Sequence, residues 1–152
     1  MTPQQFFDLG VTLLREGQAQ DAANVADALL MRAPDDASAL ILRAEAAIEL
    51  GDFANAVTFA RTAYTVTARK NQKFAAARLA ALAQSQLQND TRAQIWLRRA
   101  RQFAPDTQTA RAVADDYQFL RRRNPWSTQL RFGITPSSNI NNGSANATSP
   151  LF

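Results

Sequence analysis

Small side chains recur in this sequence as pairs twelve residues apart: Gly10 with Ala22, Ala44 with Ala56, Ala81 with Ala93. A small residue where two helices cross lets their backbones approach closely, so each pair reads as the crossing point of one helical hairpin. The pairs themselves recur after 34 and then 37 residues, and other positions keep the same step. Phe6, Leu9, Leu13, Gly17, Leu29 and Pro34 mark the first unit; Leu40, Ala47, Gly51 and Ala63 the second; Ala77, Ala100 and Pro105 the third. An internal period near 34 residues is the signature of stacked helix–turn–helix units, a solenoid.

Local signals place the helices. Thr2 caps the first, Pro3 suits its first position, Gln5 can close a capping box, and Gly17 ends it. The second runs from about Ala19 to Arg32 and stops before Pro34. Asp36 caps a third that ends before Gly51, and Asp52 caps a fourth that reaches about Ala68. The three extra residues near Arg69–Gln72 predict a longer loop, followed by helices over about 72–87 and 91–103, with Gln88 standing where the turn glycine is expected. A seventh helix, about Thr107–Arg123, carries Ala110, Val113, Ala114, Tyr117 and Leu120 on one stripe, as a cap on the end of a stack requires. The fold class is therefore all-α, three helix pairs (about 3–36, 37–70 and 74–106) plus a cap helix (107–123), in one repeat domain over 2–123.

Composition removes whole classes of chemistry. There is no cysteine and no histidine, so disulfides, Cys/His zinc sites and Ser-His or Cys-His catalysis are out. The pairs Asp35–Asp36 and Asp115–Asp116 read as a helix start and a solvated cap-helix face. With no glycine-rich phosphate loop either, the chain is expected not to be an enzyme and to hold no cofactor or metal. Residues 1–60 carry three arginines against nine acids, net −6, whereas residues 61–152 carry fourteen basic residues against four aspartates, net +10. Aromatics interleaved with arginine for base stacking are sparse, so solvated helix faces are expected rather than nucleic-acid binding. No stretch reaches the ~18 apolar residues of a membrane helix. Met1 leads straight into a helix start, so any leader is expected to have been removed or the chain to be a piece of a longer one.

The composition changes after Asn124-Pro125. Trp126, Leu130, Phe132 and Ile134 alternate with Ser127, Gln129, Arg131, Gly133 and Thr135. That period of two predicts a strand of the length that crosses a bilayer at a tilt, with an ordinary edge strand as the alternative. Residues 137–150 are a polar tract that cannot bury enough to fold alone, so a disordered tail is expected there; its Asn146-Ala147-Thr148 triplet fits a glycosylation acceptor only as such triplets arise by chance.

Over residues 3–106 the repeat pattern resembles the tetratricopeptide repeat family, although the second and third units lack the aromatic at the fourth position. The run Asn124-Pro125-Trp126, then Leu130-Arg131-Phe132-Gly133-Ile134-Thr135-Pro136-Ser137-Ser138-Asn139-Ile140-Asn141-Asn142-Gly143, looks like the junction in the surface lipoprotein assembly modifier (Slam) family, where periplasmic repeats join an outer-membrane β-barrel. This resemblance implies a chain cut off after the first barrel strand, with residues 124–152 the start of that barrel. It also implies a non-catalytic protein-binding module on the periplasmic side of the outer membrane, engaging an exported protein or its own barrel and touching the membrane only through that barrel. The alternatives are the repeat domain of a barrel-type polysaccharide exporter and a stand-alone cytoplasmic scaffold. By analogy with the repeat family, the concave wall would hold Phe7, Val11, Leu14, Ser38, Ile41, Glu45, Ile48, Arg78, Leu82 and Ser85. Packing between helices is the competing reading for Val11, Leu14, Ile41 and Leu82, and Phe7 and Ile41 are the preferred residues for the open face.

Overall fold

The computed structural model describes residues 1–123. Those residues form seven helices: α1 (Pro3–Arg15), α2 (Ala19–Arg32), α3 (Ala37–Glu49), α4 (Phe53–Val66), α5 (Lys70–Gln86), α6 (Asp90–Gln102) and α7 (Thr107–Arg123). The alternating stretch Trp126–Thr135 and the polar tail, with the barrel residues Trp126, Leu130, Phe132 and Ile134, lie outside the described residues.

The caps fall where the side chains can make them. Thr2 and Gln5 close a reciprocal capping box on α1, and Asp36 accepts from the amides of Ser38 and Ala39 at the start of α3. The expected long loop before the third hairpin is absent. Only Thr67, Ala68 and Arg69 separate α4 from α5, and the extra residues extend α5 to 17. The Thr67 hydroxyl holds that tight link together: it accepts from the Arg69 amide and donates to Gln72, whose amide group donates to Ser38 Oγ of α3 at 2.9 Å. Lys73 Nζ donates to the Tyr64 carbonyl at 2.8 Å, satisfying an acceptor in the last turn of α4.

The backbone repeats three times at the hairpin turns. Gly17, Gly51 and Gln88 have φ of 79°, 77° and 64°. Each amide bonds back to the carbonyl three residues earlier, and the next amide (Gln18, Asp52, Asn89) bonds to the carbonyl five residues earlier. This is the Schellman ending, whose left-handed residue is normally glycine. The third turn thus keeps the conformation of the first two without the residue suited to it.

Each helix packs on the next along the chain, and α3 also touches α1 and α5, its counterparts in the neighbouring hairpins. All six crossing residues are buried: Gly10, Ala22, Ala44, Ala56, Ala81 and Ala93. Their partners are not simply each other. A Cβ on Gly10 would stand 2.6 Å from Leu42 Cδ2 of α3 and 3.0 Å from Val25 Cγ1 of α2. Ala22 clusters with Ala46 of α3, and Ala56 with Ala83 of α5 as well as Ala47 of α3. Each small side chain therefore makes room for the following hairpin as well as for its own. Of the large residues marking the first unit, Leu29 is buried and Phe6 and Leu13 half-buried, but Leu9 stays 37% exposed.

Candidate functional site

The ten expected wall residues lie on the first helix of each hairpin, α1, α3 and α5. Nine are half-buried; Ser85 is 2% exposed and belongs to the interior. Four of the nine have their apolar ends in core clusters. Phe7 packs on Val25, Leu29 and Ala39; Leu14 on Ala22, Ala23 and Ala46; Ile41 on Leu40, Ala63 and Ala76; Ile48 on Ala47, Ala56, Val57 and Ala83. Phe7 and Ile41, the preferred open-face residues, thus have packing duties. Val11 and Leu82 join none of these clusters and are the freer apolar groups on the wall.

Two ionisable groups share this wall. Burial, with the like charge of Glu49 adding to it, pushes the Glu45 carboxyl above the usual carboxylate range. Arg78 lays its guanidinium 5.4 Å from the Phe74 ring centroid, while its Nε is buried without a hydrogen-bond partner.

Asp116 departs from expectation altogether. In place of a solvated cap-helix carboxylate it is 1% exposed, and its Oδ2 has no hydrogen-bond partner. Burial pushes its carboxyl up to about 7, Arg78's positive charge pulling it down and Asp115's negative charge adding to the rise. The signal for this burial was present in the spacing: 116 lies three residues after Val113 and four before Leu120, both fully buried, so it falls on the packed stripe.

Its register has apolar counterparts in the earlier hairpins. In the first hairpin, Leu13, Leu14, Ala22 and Ala23 pack around Ala46 of the next helix. In the second, Ala47, Ile48, Phe53, Ala56 and Val57 pack around Ala83. The same positions in the third are Gln84, Ser85, Asp90, Ala93 and Gln94, and the residue of α7 in register with Ala46 is Asp116, ten residues after Asp106 as Ala46 is ten after Asp36. Apolar positions have become polar ones. Gln84, Ser85 and Gln94 are buried, and Gln94 Nε2, like Asp116 Oδ2, is without a partner. Asn89 donates to Gln84 Oε1 at 3.0 Å. Arg123, at the end of α7, donates to Ser85 Oγ at 2.8 Å and closes an ion pair with Asp90.

Among the described residues no group of acidic side chains is arranged to hold a metal ion, and no helix is long and apolar enough to cross a membrane. Comparison with protein-family models, curated proteins and solved structures finds no match.

Proposed function

We propose that this chain is a non-catalytic protein-binding module: a helical solenoid of tetratricopeptide type whose working surface is the wall of α1, α3 and α5. The observation that carries the reading is the state of that wall. Nine of its ten expected residues are half-buried, and the three helices bearing them stand side by side. A row of half-exposed apolar groups with a carboxylate and a guanidinium among them suits an extended or helical peptide, because a preformed surface spares ordering entropy. Phe7 is the one aromatic among the ten, which favours a peptide over a sugar chain that would stack on several.

The wider setting rests on the resemblance of residues 124–143 to the Slam junction. In that setting the module sits on the periplasmic side of an outer-membrane barrel and receives a lipoprotein bound for the surface.

The test separates binding from packing. Val11→Glu with Leu82→Glu changes wall residues outside the core clusters, and it is expected to abolish capture of an exported substrate while leaving helicity and melting temperature close to wild type. Phe7→Ala with Ile41→Glu is expected to weaken capture at a visible cost in stability. Unchanged capture by the first variant sinks the wall as the working surface.

A further inference from the structure

We infer that α7 is a releasable cap, closed while Asp116 carries its proton and loosened when that proton leaves. The inference goes beyond the peptide-binding reading and does not depend on it. Its ground is the burial of Asp116, 1% exposed with its Oδ2 unpartnered, at the register that Ala46 and Ala83 hold in the apolar clusters of the two earlier hairpins.

The two earlier clusters bury only apolar side chains between one hairpin and the next, so removing either neighbour exposes oily surface at every pH. The junction at α7 behaves differently. A neutral Asp116 is a short polar side chain able both to donate and to accept. An ionised one is a buried charge, and the fold gives its Oδ2 no hydrogen bond; leaving it there is costly, and moving α7 into water relieves the cost.

The charges around Asp116 do not cancel this. From α5, Arg78 attracts it but makes no ion pair with it, since the ion pairs among the described residues are Arg43–Asp27 and Arg123–Asp90. From α7 itself, Asp115 repels it. From α6, the charged groups bonded to α7 are Asp90, taken by Arg123, and Arg98, whose guanidinium donates to the Tyr117 hydroxyl. What still holds α7 is Val113 and Leu120, fully buried with Ala93, Trp96, Leu97 and Ala100 of α6. Lifting α7 would uncover that strip.

Hydrogen exchange of the full chain, read helix by helix and corrected for the intrinsic pH dependence of exchange, tests this. Between pH 5.5 and 8.5 the opening of α7 is expected to rise about tenfold or more, since an exposed aspartate titrates near 4, and at both pH values to exceed the opening of α1 to α4. Asp116→Asn, which cannot ionise, is expected to flatten that rise; Asp116→Leu, restoring the chemistry of the other two clusters, serves if the amide variant misfolds. An α7 that opens equally at both pH values overturns the inference. So does a rise that survives both substitutions, or an α7 that opens no more readily than every other helix, which would be global unfolding rather than release of the cap.

Discussion

The tips of the first and third hairpins share a backbone and differ in what fills them. At the first, Leu13, Leu14, Ala22 and Ala23 close around an alanine of the next helix; at the third, Gln84, Ser85, Ala93 and Gln94 stand at the same positions, and the residue of α7 in register with that alanine is Asp116. The second tip, with Ala47, Ile48, Ala56 and Val57, sides with the first. Helix ending, φ values and hydrogen-bond pattern hardly change across the three. Backbone geometry in such a repeat is therefore set by turn and spacing, and side-chain chemistry at the junctions is left free to vary the strength of each contact.

The largest effect expected from breaking this comparison is at the second tip. Ala56 is fully buried, with Ala47 on one side and Ala83 on the other, so Ala56→Phe wedges three helices apart. Overpacking of this kind costs about 1–3 kcal/mol and occasionally more, read as a lower midpoint in urea. An unchanged midpoint would mean that the apolar tips are not the tight contacts described.

The third tip answers to pH instead. Asp116, held at about 7, binds its proton more tightly folded than unfolded. Its contribution to stability is whole below about pH 4, falls as pH rises toward 7, and is gone above that. Wild type is expected to melt lower at pH 8 than at pH 5, and Asp116→Asn to recover that loss at pH 8 while changing little at pH 5. Removing a buried unsatisfied charge is worth on the order of 1–3 kcal/mol. Equal shifts at both pH values would assign the effect to packing.

Much of this was legible in the sequence, and for definite reasons. Caps such as Thr2 and Asp36 and turns such as Gly17 and Gly51 act through local hydrogen bonds and local backbone preference, so residue type and position suffice to place them. The burial of the six small residues was legible from their spacing, but their partners were not. Gly10 meets Leu42, a contact with the next hairpin that no within-unit pattern encodes. Arg69–Gln72 misled for a related reason. Extra residues can enter a loop or a helix, and the hydrogen bonds of Thr67 and Gln72, one of them to α3, accompany the second outcome. Asp116 was misread as solvated because an aspartate beside another aspartate suggests surface, although its place between Val113 and Leu120 argued for the interior.

A third comparison uses the turns. Gly51 and Gln88 hold equivalent left-handed positions, which cost a residue with a Cβ roughly 1–2 kcal/mol relative to glycine, offset in part by the greater chain entropy glycine loses on folding. Gln88→Gly is expected to raise stability by up to about 1 kcal/mol and Gly51→Gln to lower it by a similar amount. A Cβ on Gly51 meets nothing within 4 Å, so any loss there is backbone strain rather than a clash. Effects of equal sign from the two substitutions would show that the turns are not equivalent.

The smallest effect concerns the Arg123–Asp90 ion pair between α7 and the third tip. Arg123 Nε donates to Asp90 Oδ2 at 2.8 Å, and the same guanidinium reaches Ser85 Oγ. The arginine side chain is 36% exposed and the aspartate 12%, so water screens much of the attraction, and exposed pairs of this kind are worth about 0.2–1 kcal/mol. Arg123→Lys keeps the charge but loses the fork that serves both partners. It is expected to lower the melting temperature by a degree or two at low salt and by less at high salt, with the change confined to the amides of the last turn of α7 by hydrogen exchange. Because Asp90 holds the place that Phe53 fills in the apolar second tip, Asp90→Phe combined with Arg123→Leu asks whether the pair or the position matters. If the double substitution stabilises α7, the third tip is a weakened version of the second, and its polarity adds nothing to stability.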